Sequence, residues 1–318
     1  MARRSGIVMP VTEATGEGEA RAGLPYRSRR TAFGVLDRYP VVTKLSILMS
    51  AYNEEKTILA AVHEVLAAEY PCEIELVVVD DGSVDRTSRL LATIADPRLK
   101  VCRHPRNLGK GAGLRTAASV ASGTHILPFD ADLEYAADDI PRLLGPVMSG
   151  RCDVVYGTRL FGCNTVYHSY RYAVGNRLLT RLANLLFDAY LSDLHTCLKL
   201  MPLDILRVAE LRETGFGLDT ELTAVLLKSG IRPFEVPVSY YARTHAEGKK
   251  ITWRDALACA WILLRVRLRG KRLPTSAREV LGVGQGPWHE HAGTGNPAAS
   301  LMSDEALASR VPPGAEPA

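Results

Sequence analysis

Three carboxylates at alternate positions are the residues of this sequence best suited to chemistry. They are Asp130, Asp132 and Glu134 of the stretch FDADLEY, which follows the apolar run THILPF. In an extended backbone, side chains at i, i+2 and i+4 point the same way, so these three can face one site. A divalent cation would relieve their repulsion, and hard oxygen ligands suit Mg²⁺ or Mn²⁺. Alternatively, Asp130 caps the next turn and the other two are solvated.

Strands and helices alternate along the chain on both sides of these carboxylates. Runs with strand composition, such as KLSILMS, EIELVVVDD and CDVVYGTR, are separated by segments with apolar residues at helical spacing, such as EEKTILAAVHEVLAA. This alternation predicts an α/β fold with a mostly parallel central sheet flanked by helices. Ligands bind such sheets beyond the carboxyl ends of the strands. The clusters SAYNEE, DDGS, RNLGKG and DADLE follow four consecutive predicted strands, so we expect one site at that edge.

Composition predicts a folded domain between two polar tails. The 318 residues are 47% apolar with a net charge of +4, which is too small to favour nucleic acid as a partner. Residues 1–40 and 276–318 lack periodicity and are predicted to be disordered, which leaves a domain at 41–275. Six scattered cysteines without a C-x-x-C pair favour a reducing cytoplasm. We expect neither a signal peptide nor a membrane-spanning helix, because no apolar run approaches ~20 residues.

The strand-end motifs, taken in order, resemble a known family. SAYNEE, VVVDDGS, RNLGKGAG and FDADLE resemble the nucleotide-sugar domain of family 2 glycosyltransferases, which have the inverting GT-A fold. Further on, VVYGTR, HTCLKLM, FGLDTEL and EVPVSYYARTHAEGKK resemble the polyprenyl-phosphate hexosyltransferases, a subgroup that includes the dolichol-phosphate mannose and glucose synthases. The resemblance covers residues 44 to about 270. It implies a nucleotide-sugar half at 44–160 and an acceptor half at 161–275.

The resemblance also implies a donor pocket at the first two strand ends. Tyr52 and Glu54 fall where the family holds the nucleoside of a UDP- or GDP-hexose, and Ser50, also expected to bind the donor, stands where many members have proline. Val79 and Asp81 complete that pocket, and Asp81 is expected to contact the base or the ribose.

A metal and diphosphate site is implied after the fourth strand. Asp130, Ala131 and Asp132 stand at the family's positions for Mg²⁺ or Mn²⁺ and the donor diphosphate. Glu134, the expected third metal ligand, stands where synthases of dolichol-phosphate mannose commonly have glutamine.

Basic residues are implied near the phosphates of donor and acceptor. Arg159 of YGTR and Arg243 of YYARTHAEGKK match such residues of the family, and Lys249 matches the lysine six positions after that arginine. With Asp132, the two arginines are the predicted catalytic residues. Lys110 of NLGKGAG either touches the substrate or only begins a helix after a glycine turn.

The choice of acceptor decides whether the reaction needs a base. Metal and cationic side chains stabilise the leaving nucleoside diphosphate. A phosphate monoester such as polyprenyl phosphate is already largely anionic near neutral pH, so it needs no strong base. A soluble sugar or a natural-product hydroxyl would need one, and Asp219 or Glu221 of LDTEL is then expected to serve. The structural alternative for LDTEL is a capped helix start.

A basic amphipathic segment closes the predicted domain. Between Lys249 and Arg272 the sequence has eight basic residues and one acid, Asp255, with Trp253 and Trp261 among several leucines. Such a helix lies in the interface of an anionic membrane, so we expect a peripheral protein on the cytoplasmic face. An ordinary packed helix with a basic tail is the alternative. A further alternative is a non-catalytic protein of this fold that binds membranes.

Overall fold

The computed structural model describes residues 42–160, 165–166, 169–243, 253–269 and 272–275. The strands are β1 (Lys44–Ala51), β2 (Glu73–Asp80), β3 (Leu99–Arg103), β4 (His125–Pro128), β5 (Val155–Thr158), β6 (Thr165–Val166), β7 (Lys199–Pro202), β8 (Phe234–Pro237) and β9 (Tyr240–Tyr241). The α-helices are α1 (Ile58–Ala67), α2 (Thr87–Leu91), α3 (Lys110–Val120), α4 (Ile140–Met148), α5 (Tyr170–Phe187), α6 (Leu203–Val208), α7 (Gly217–Lys228) and α8 (Trp253–Leu268).

The described strands form one seven-stranded sheet and one two-stranded sheet. The order in the larger sheet is β3-β2-β1-β4-β7-β5-β8, and β6 pairs with β9. Within the larger sheet β7 runs antiparallel to both of its neighbours, and all the other pairs are parallel. The prediction of a mostly parallel sheet flanked by helices is therefore confirmed. Because β7 lies between β4 and β5, strands from both sides of residue 160 share this sheet.

The central strands are apolar along nearly their whole length because both faces of the sheet are covered. In β1, Leu45, Ile47 and Met49 point to the face that is covered by α1 and α4. Leu48 points to the opposite face, where α3 and α5 to α8 pack. This alternation follows from the two-residue period of a strand.

The strand register brings three loops to one edge of the sheet. Ala51, the last residue of β1, pairs with Asp80 at the end of β2, and Leu48 pairs with Pro128 at the end of β4. The loops that follow these three strands therefore emerge side by side. They carry the motifs SAYNEE, DDGS and DADLE.

The described cysteines are Cys72, Cys102, Cys152, Cys197 and Cys259, and all five are free thiols.

Among the described helices, none has both the length and the hydrophobicity that crossing a membrane requires. The predicted tails, residues 1–40 and 276–318, lie outside the described residues.

Candidate active site

Hydrogen bonds between the loops after β1 and β2 fix the first part of the site. Asn53, whose φ is 56°, donates its N–H to Ser83 Oγ at 3.0 Å, and its Oδ1 accepts the N–H of Val84 at 3.0 Å. The N–H of Glu54 donates to Thr87 Oγ1 at 2.9 Å. Asparagine is among the residues that tolerate this left-handed conformation. The Glu54 side chain is thereby held at the edge of the sheet.

Asp81 fastens the glycine-containing loop RNLGKG to the end of β2. Its Oδ1 accepts the N–H of Leu108 at 2.9 Å and contacts His104 Nδ1 at 2.7 Å, while Oδ2 accepts the N–H of Gly109 at 2.8 Å. Gly109 has a φ of 99°, and a Cβ there would stand 2.5 Å from the carbonyl oxygen of Thr214. Only glycine fits without strain. The predicted contact of Asp81 with a base or ribose stays a prediction.

The loop positions Lys110, the first residue of α3, between two carboxylates. Its Nζ lies 2.7 and 2.9 Å from the two oxygens of Asp130 and 3.8 Å from Asp219 Oδ2. Burial works against the charged ammonium, but the carboxylate of Asp130 raises the pKa of Lys110 well above its ordinary value. Lys110 therefore remains a cation at the strand edge.

Arg243 lies among three of the predicted site carboxylates. Its Nη2 is 2.9 Å from Asp132 Oδ2, its Nη1 is 3.5 Å from Glu54 Oε2, and its Nε is 3.7 Å from Glu134 Oε1. The oxygens of Glu134 also accept the Arg243 N–H at 2.8 Å and the Tyr240 hydroxyl at 2.6 Å. The fold thus brings Glu54, Asp132, Glu134 and Arg243 together from distant parts of the sequence.

The carboxylates suit a divalent cation. Burial, together with the negative charges of Asp130 and Glu134, raises the pKa of Asp132 to about 7 against the opposing effect of Arg243. This excess of negative charge is what a cation would relieve, and aspartate oxygens are ligands that Mg²⁺ and Mn²⁺ prefer. The described part of the chain contains no group of three or more His, Cys, Asp or Glu side chains arranged to hold a metal. Asp130 and Asp132 therefore fit a cation that completes its coordination with phosphate oxygens and water.

Arg159 lies beside this cluster in a buried ion pair. Its Nε and Nη2 donate to the two oxygens of Asp193 at 2.6 and 2.8 Å, and its guanidinium lies 4.8 Å from the ring centroid of Tyr240. Burial alone would raise the pKa of Asp193, but Arg159 lowers it to about 2. The predicted contact of Arg159 with a phosphate stays a prediction. Neither Asp193 nor Tyr240 was predicted, because SDLHT and SYYAR look like ordinary loop and strand-end sequences.

The two candidate bases, both on α7, have different surroundings. Asp219 Oδ1 is 3.2 Å from Lys199 Nζ, and Oδ2 faces Lys110. Burial raises the pKa of Asp219, but the two ammonium groups outweigh this effect and lower it overall. Glu221 is buried, and its Oε2 accepts the N–H groups of residues 212 and 213 at 2.7 and 2.9 Å. Asp219 therefore reaches the site, whereas Glu221 anchors the loop before α7.

The remaining predicted donor residues line or underlie the strand ends. Ser50 is half-buried and pairs in register with Val79 of β2, and Tyr52 is half-buried in the next loop. The side chains of Val79 and Ala131 are buried in the core, so we expect any nucleotide contact from these two to involve the backbone. Lys249 lies outside the described residues.

Comparison with known proteins identifies the family. The family model described as Glycosyl transferase family 2 matches residues 46–208, about half of the chain. The chain belongs to glycosyl transferase family 2.

Two of the relatives that the chain matches are proteins of Haloferax volcanii. The low-salt glycan biosynthesis hexosyltransferase Agl6 is 29% identical over 212 residues, which are 64% of this chain and 49% of Agl6. The glycosyltransferase AglJ is 28% identical over 205 residues, which are 64% of this chain and 65% of AglJ. The matched region thus spans less than two thirds of either relative.

A solved structure supports the fold. The glucosyl-3-phosphoglycerate synthase of Mycobacterium tuberculosis, in complex with Mn²⁺, UDP and phosphoglyceric acid, superposes with a TM-score of 0.53 at 18% identity. The match covers 76% of this chain and 82% of the synthase. The predicted GT-A fold is confirmed.

Proposed function

We propose that this protein is an inverting hexosyltransferase that moves glucose or mannose from a nucleoside diphosphate sugar to polyprenyl phosphate. The observation that carries the proposal is the pairing of every carboxylate at the site with a cation or donor. Asp130 is paired with Lys110, Asp132 with Arg243, and Asp219 with Lys199. With a divalent cation bound to offset the excess of carboxylates, such a site suits anionic substrates on both sides of the reaction.

On the donor side, two cations of the chain support the binding of a leaving diphosphate. Lys110 and Arg243 flank the two aspartates that would hold Mg²⁺ or Mn²⁺, which supplies Lewis-acid stabilisation of the leaving group when bound. Arg243 Nε is buried and lies 3.7 Å from Glu134 Oε1, so among the described residues this nitrogen has an ion-pair partner but no hydrogen bond. The UDP and Mn²⁺ in the M. tuberculosis synthase make UDP sugars the first donors to test.

On the acceptor side, the state of Asp219 favours a phosphate over a hydroxyl. A general base for a hydroxyl works best when its pKa lies near the operating pH. The two lysines lower the pKa of Asp219 instead, which makes it a weak base. A phosphate monoester needs no such help because it already carries negative charge near neutral pH.

Two neighbouring helices support a membrane surface as the place of reaction. α5 packs against α8, and both combine exposed apolar side chains with exposed arginines. The exposed residues on these helices include Arg171, Arg177, Leu178, Arg181 and Leu185 of α5 and Arg254, Leu257, Trp261, Arg267 and Leu268 of α8. Apolar area interleaved with cations is how interfacial helices bind anionic lipid. Each arginine near such a surface contributes roughly 1 kcal/mol.

Transfer itself is tested by mixing the full chain with UDP- and GDP-hexoses, Mn²⁺ or Mg²⁺, and a short polyprenyl phosphate. We expect release of nucleoside diphosphate together with a phosphoglycolipid product. The unphosphorylated polyprenol is the matched control and should accept no sugar. Full activity in excess chelator would refute the metal assignment.

The same assay separates the alternatives. Transfer to a soluble sugar or hydroxyl acceptor that is lost in Asp219→Asn would favour a base-dependent enzyme. Absence of binding to all nucleotide sugars by calorimetry, with Mn²⁺ present, would favour the non-catalytic membrane-binding protein.

Membrane binding is tested by co-sedimentation with vesicles. We expect binding to vesicles rich in phosphatidylglycerol and little to pure phosphatidylcholine, with reduced binding in Trp261→Glu and Leu185→Glu. Val101→Glu, which also places a charge at an exposed apolar position but on β3, is the control and should bind as wild type. If all three variants bind the vesicles as well as the wild type does, the surface formed by α5 and α8 is not the membrane-binding surface.

A further inference from the structure

The segment Tyr240–Arg243 crosses the carboxylate cluster and is attached to the FDADLEY loop. Tyr240 forms an antiparallel bridge with Tyr135, and their rings lie 5.2 Å apart. The N–H of Tyr241 donates to the backbone carbonyl of Glu134 at 2.8 Å. The segment that ends in Arg243 is therefore held against the residues that follow Asp132.

The side chain of Glu134 makes the strongest of these attachments. One oxygen accepts the Tyr240 hydroxyl at 2.6 Å, and the other accepts the Arg243 N–H at 2.8 Å. Hydrogen bonds to an ionised carboxylate are stronger than those between neutral groups. Both oxygens of Glu134 thus hold the segment that ends in Arg243.

The attachment to Glu134 determines where the guanidinium of Arg243 lies. With its backbone fixed at Glu134, the Arg243 side chain reaches Asp132 at 2.9 Å and Glu54 at 3.5 Å. The structure assigns Glu134 as a positioning residue that holds Arg243 beside Asp132 and the donor site. The role of the donor in this assignment rests on the proposed function, but the attachment of Arg243 to Glu134 is independent of it.

Glutamine can replace the carboxylate in this role, and alanine has no group to do so. The amide oxygen of glutamine can accept the Arg243 N–H, and its amide nitrogen can donate to the Tyr240 oxygen. Glu134→Gln should therefore keep the segment Tyr240–Arg243 attached to residue 134, whereas Glu134→Ala should lose both side-chain hydrogen bonds that hold it. Glu64→Ala is the matched control, because Glu64 also accepts a backbone N–H, that of Ala137 at 2.8 Å, but does so elsewhere.

The first measurement is amide hydrogen exchange, by mass spectrometry, of peptides that cover residues 239–243. We expect exchange about ten- to hundredfold faster in Glu134→Ala, near wild type in Glu134→Gln, and unchanged in Glu64→Ala. Unchanged exchange in Glu134→Ala would overturn the assignment. This measurement needs no substrate, so its result stands even if no hexose transfer is found.

The second measurement separates positioning from ligation. Binding of UDP and GDP with Mn²⁺ is measured by calorimetry in Glu134→Ala, Arg243→Ala and the double variant. If Glu134 acts through Arg243, Glu134→Ala weakens nucleotide binding when Arg243 is present. The same substitution has little further effect in the Arg243→Ala background. A metal ligand would instead weaken binding equally in both backgrounds, and that result would overturn the assignment. If neither UDP nor GDP binds the wild type, the proposed function is refuted. The role of Glu134 in positioning Arg243 is then tested by the hydrogen-exchange measurement alone.

Discussion

Asp132→Asn tests the electrostatics of the site in the metal-free protein. Well below pH 3.8, the ordinary pKa of aspartate, this carboxyl is protonated in both the folded and the unfolded chain, so its ionisation has no effect on stability. As the pH rises toward 7, the unfolded chain ionises while the folded protein keeps its proton, because its pKa is raised to about 7. Stability therefore falls over this range, and the full loss is present above it.

The magnitude follows from the displaced pKa. A rise from the ordinary value of 3.8 to about 7 corresponds to about 4 kcal/mol of unfolding free energy above pH 7. Asparagine removes that penalty, and the figure already includes the loss of the ion pair with Arg243, which keeps Glu54 and Glu134 as partners. We expect a net stabilisation of about 2 to 4 kcal/mol at pH 8 and a smaller one at pH 5.

The assay is urea unfolding of the wild type and Asp132→Asn at both pH values with excess chelator. Asp204→Asn, at an exposed aspartate on α6, is the control and should show little difference at either pH. Added Mn²⁺ should stabilise the wild type and have a much smaller effect on Asp132→Asn, since a ligand stabilises the state that binds it. A difference between wild type and Asp132→Asn that does not change with pH would refute the reasoning.

Three further substitutions probe the ion pairs around the site. Asp193→Asn leaves the buried charge of Arg159 without its anion, so the unfolding free energy in urea should fall by about 3 kcal/mol or more. Lys110→Met removes the cation on Asp130, so kcat/KM for hexose transfer in steady-state assays should fall by about 100-fold. Asp219→Asn should lower kcat for a phosphate acceptor by less than about tenfold, because loss of a true general base costs on the order of 100-fold or more.

The sheet and the location of the site were predictable because their signals are local. The apolar runs of β1 and β2 are typical of strands covered on both faces. Polar residues directly after each run, such as Asp81 and Asp130, mark the strand ends, and parallel strands bring their carboxyl ends to one edge. Position in the sequence alone therefore predicted that these aspartates lie at the same edge of the sheet.

The pairing of side chains was not predictable because it depends on contacts between distant segments. Nothing in the sequence around Asp193 indicates that it forms an ion pair with Arg159. Likewise, the sequence gives no reason to prefer Asp219 over Glu221 as the general base. Their difference arises because one points toward Lys199 and the other toward the backbone of residues 212–213. Such a distinction requires the packing of α7 against the sheet.

The balance of charge at the site bears on how many cations the proposed reaction needs. The described cluster consists of the five carboxylates Glu54, Asp130, Asp132, Glu134 and Asp219 and the three cations Lys110, Lys199 and Arg243. A divalent cation would neutralise the excess, but the donor diphosphate then brings new negative charge that engages Lys110 and Arg243. In the proposed reaction a second phosphate therefore needs further cations. Candidates are the exposed arginines of α8, on the surface that we propose meets the membrane, and Lys249 and Lys250, which follow Arg243 in the sequence and lie outside the described residues.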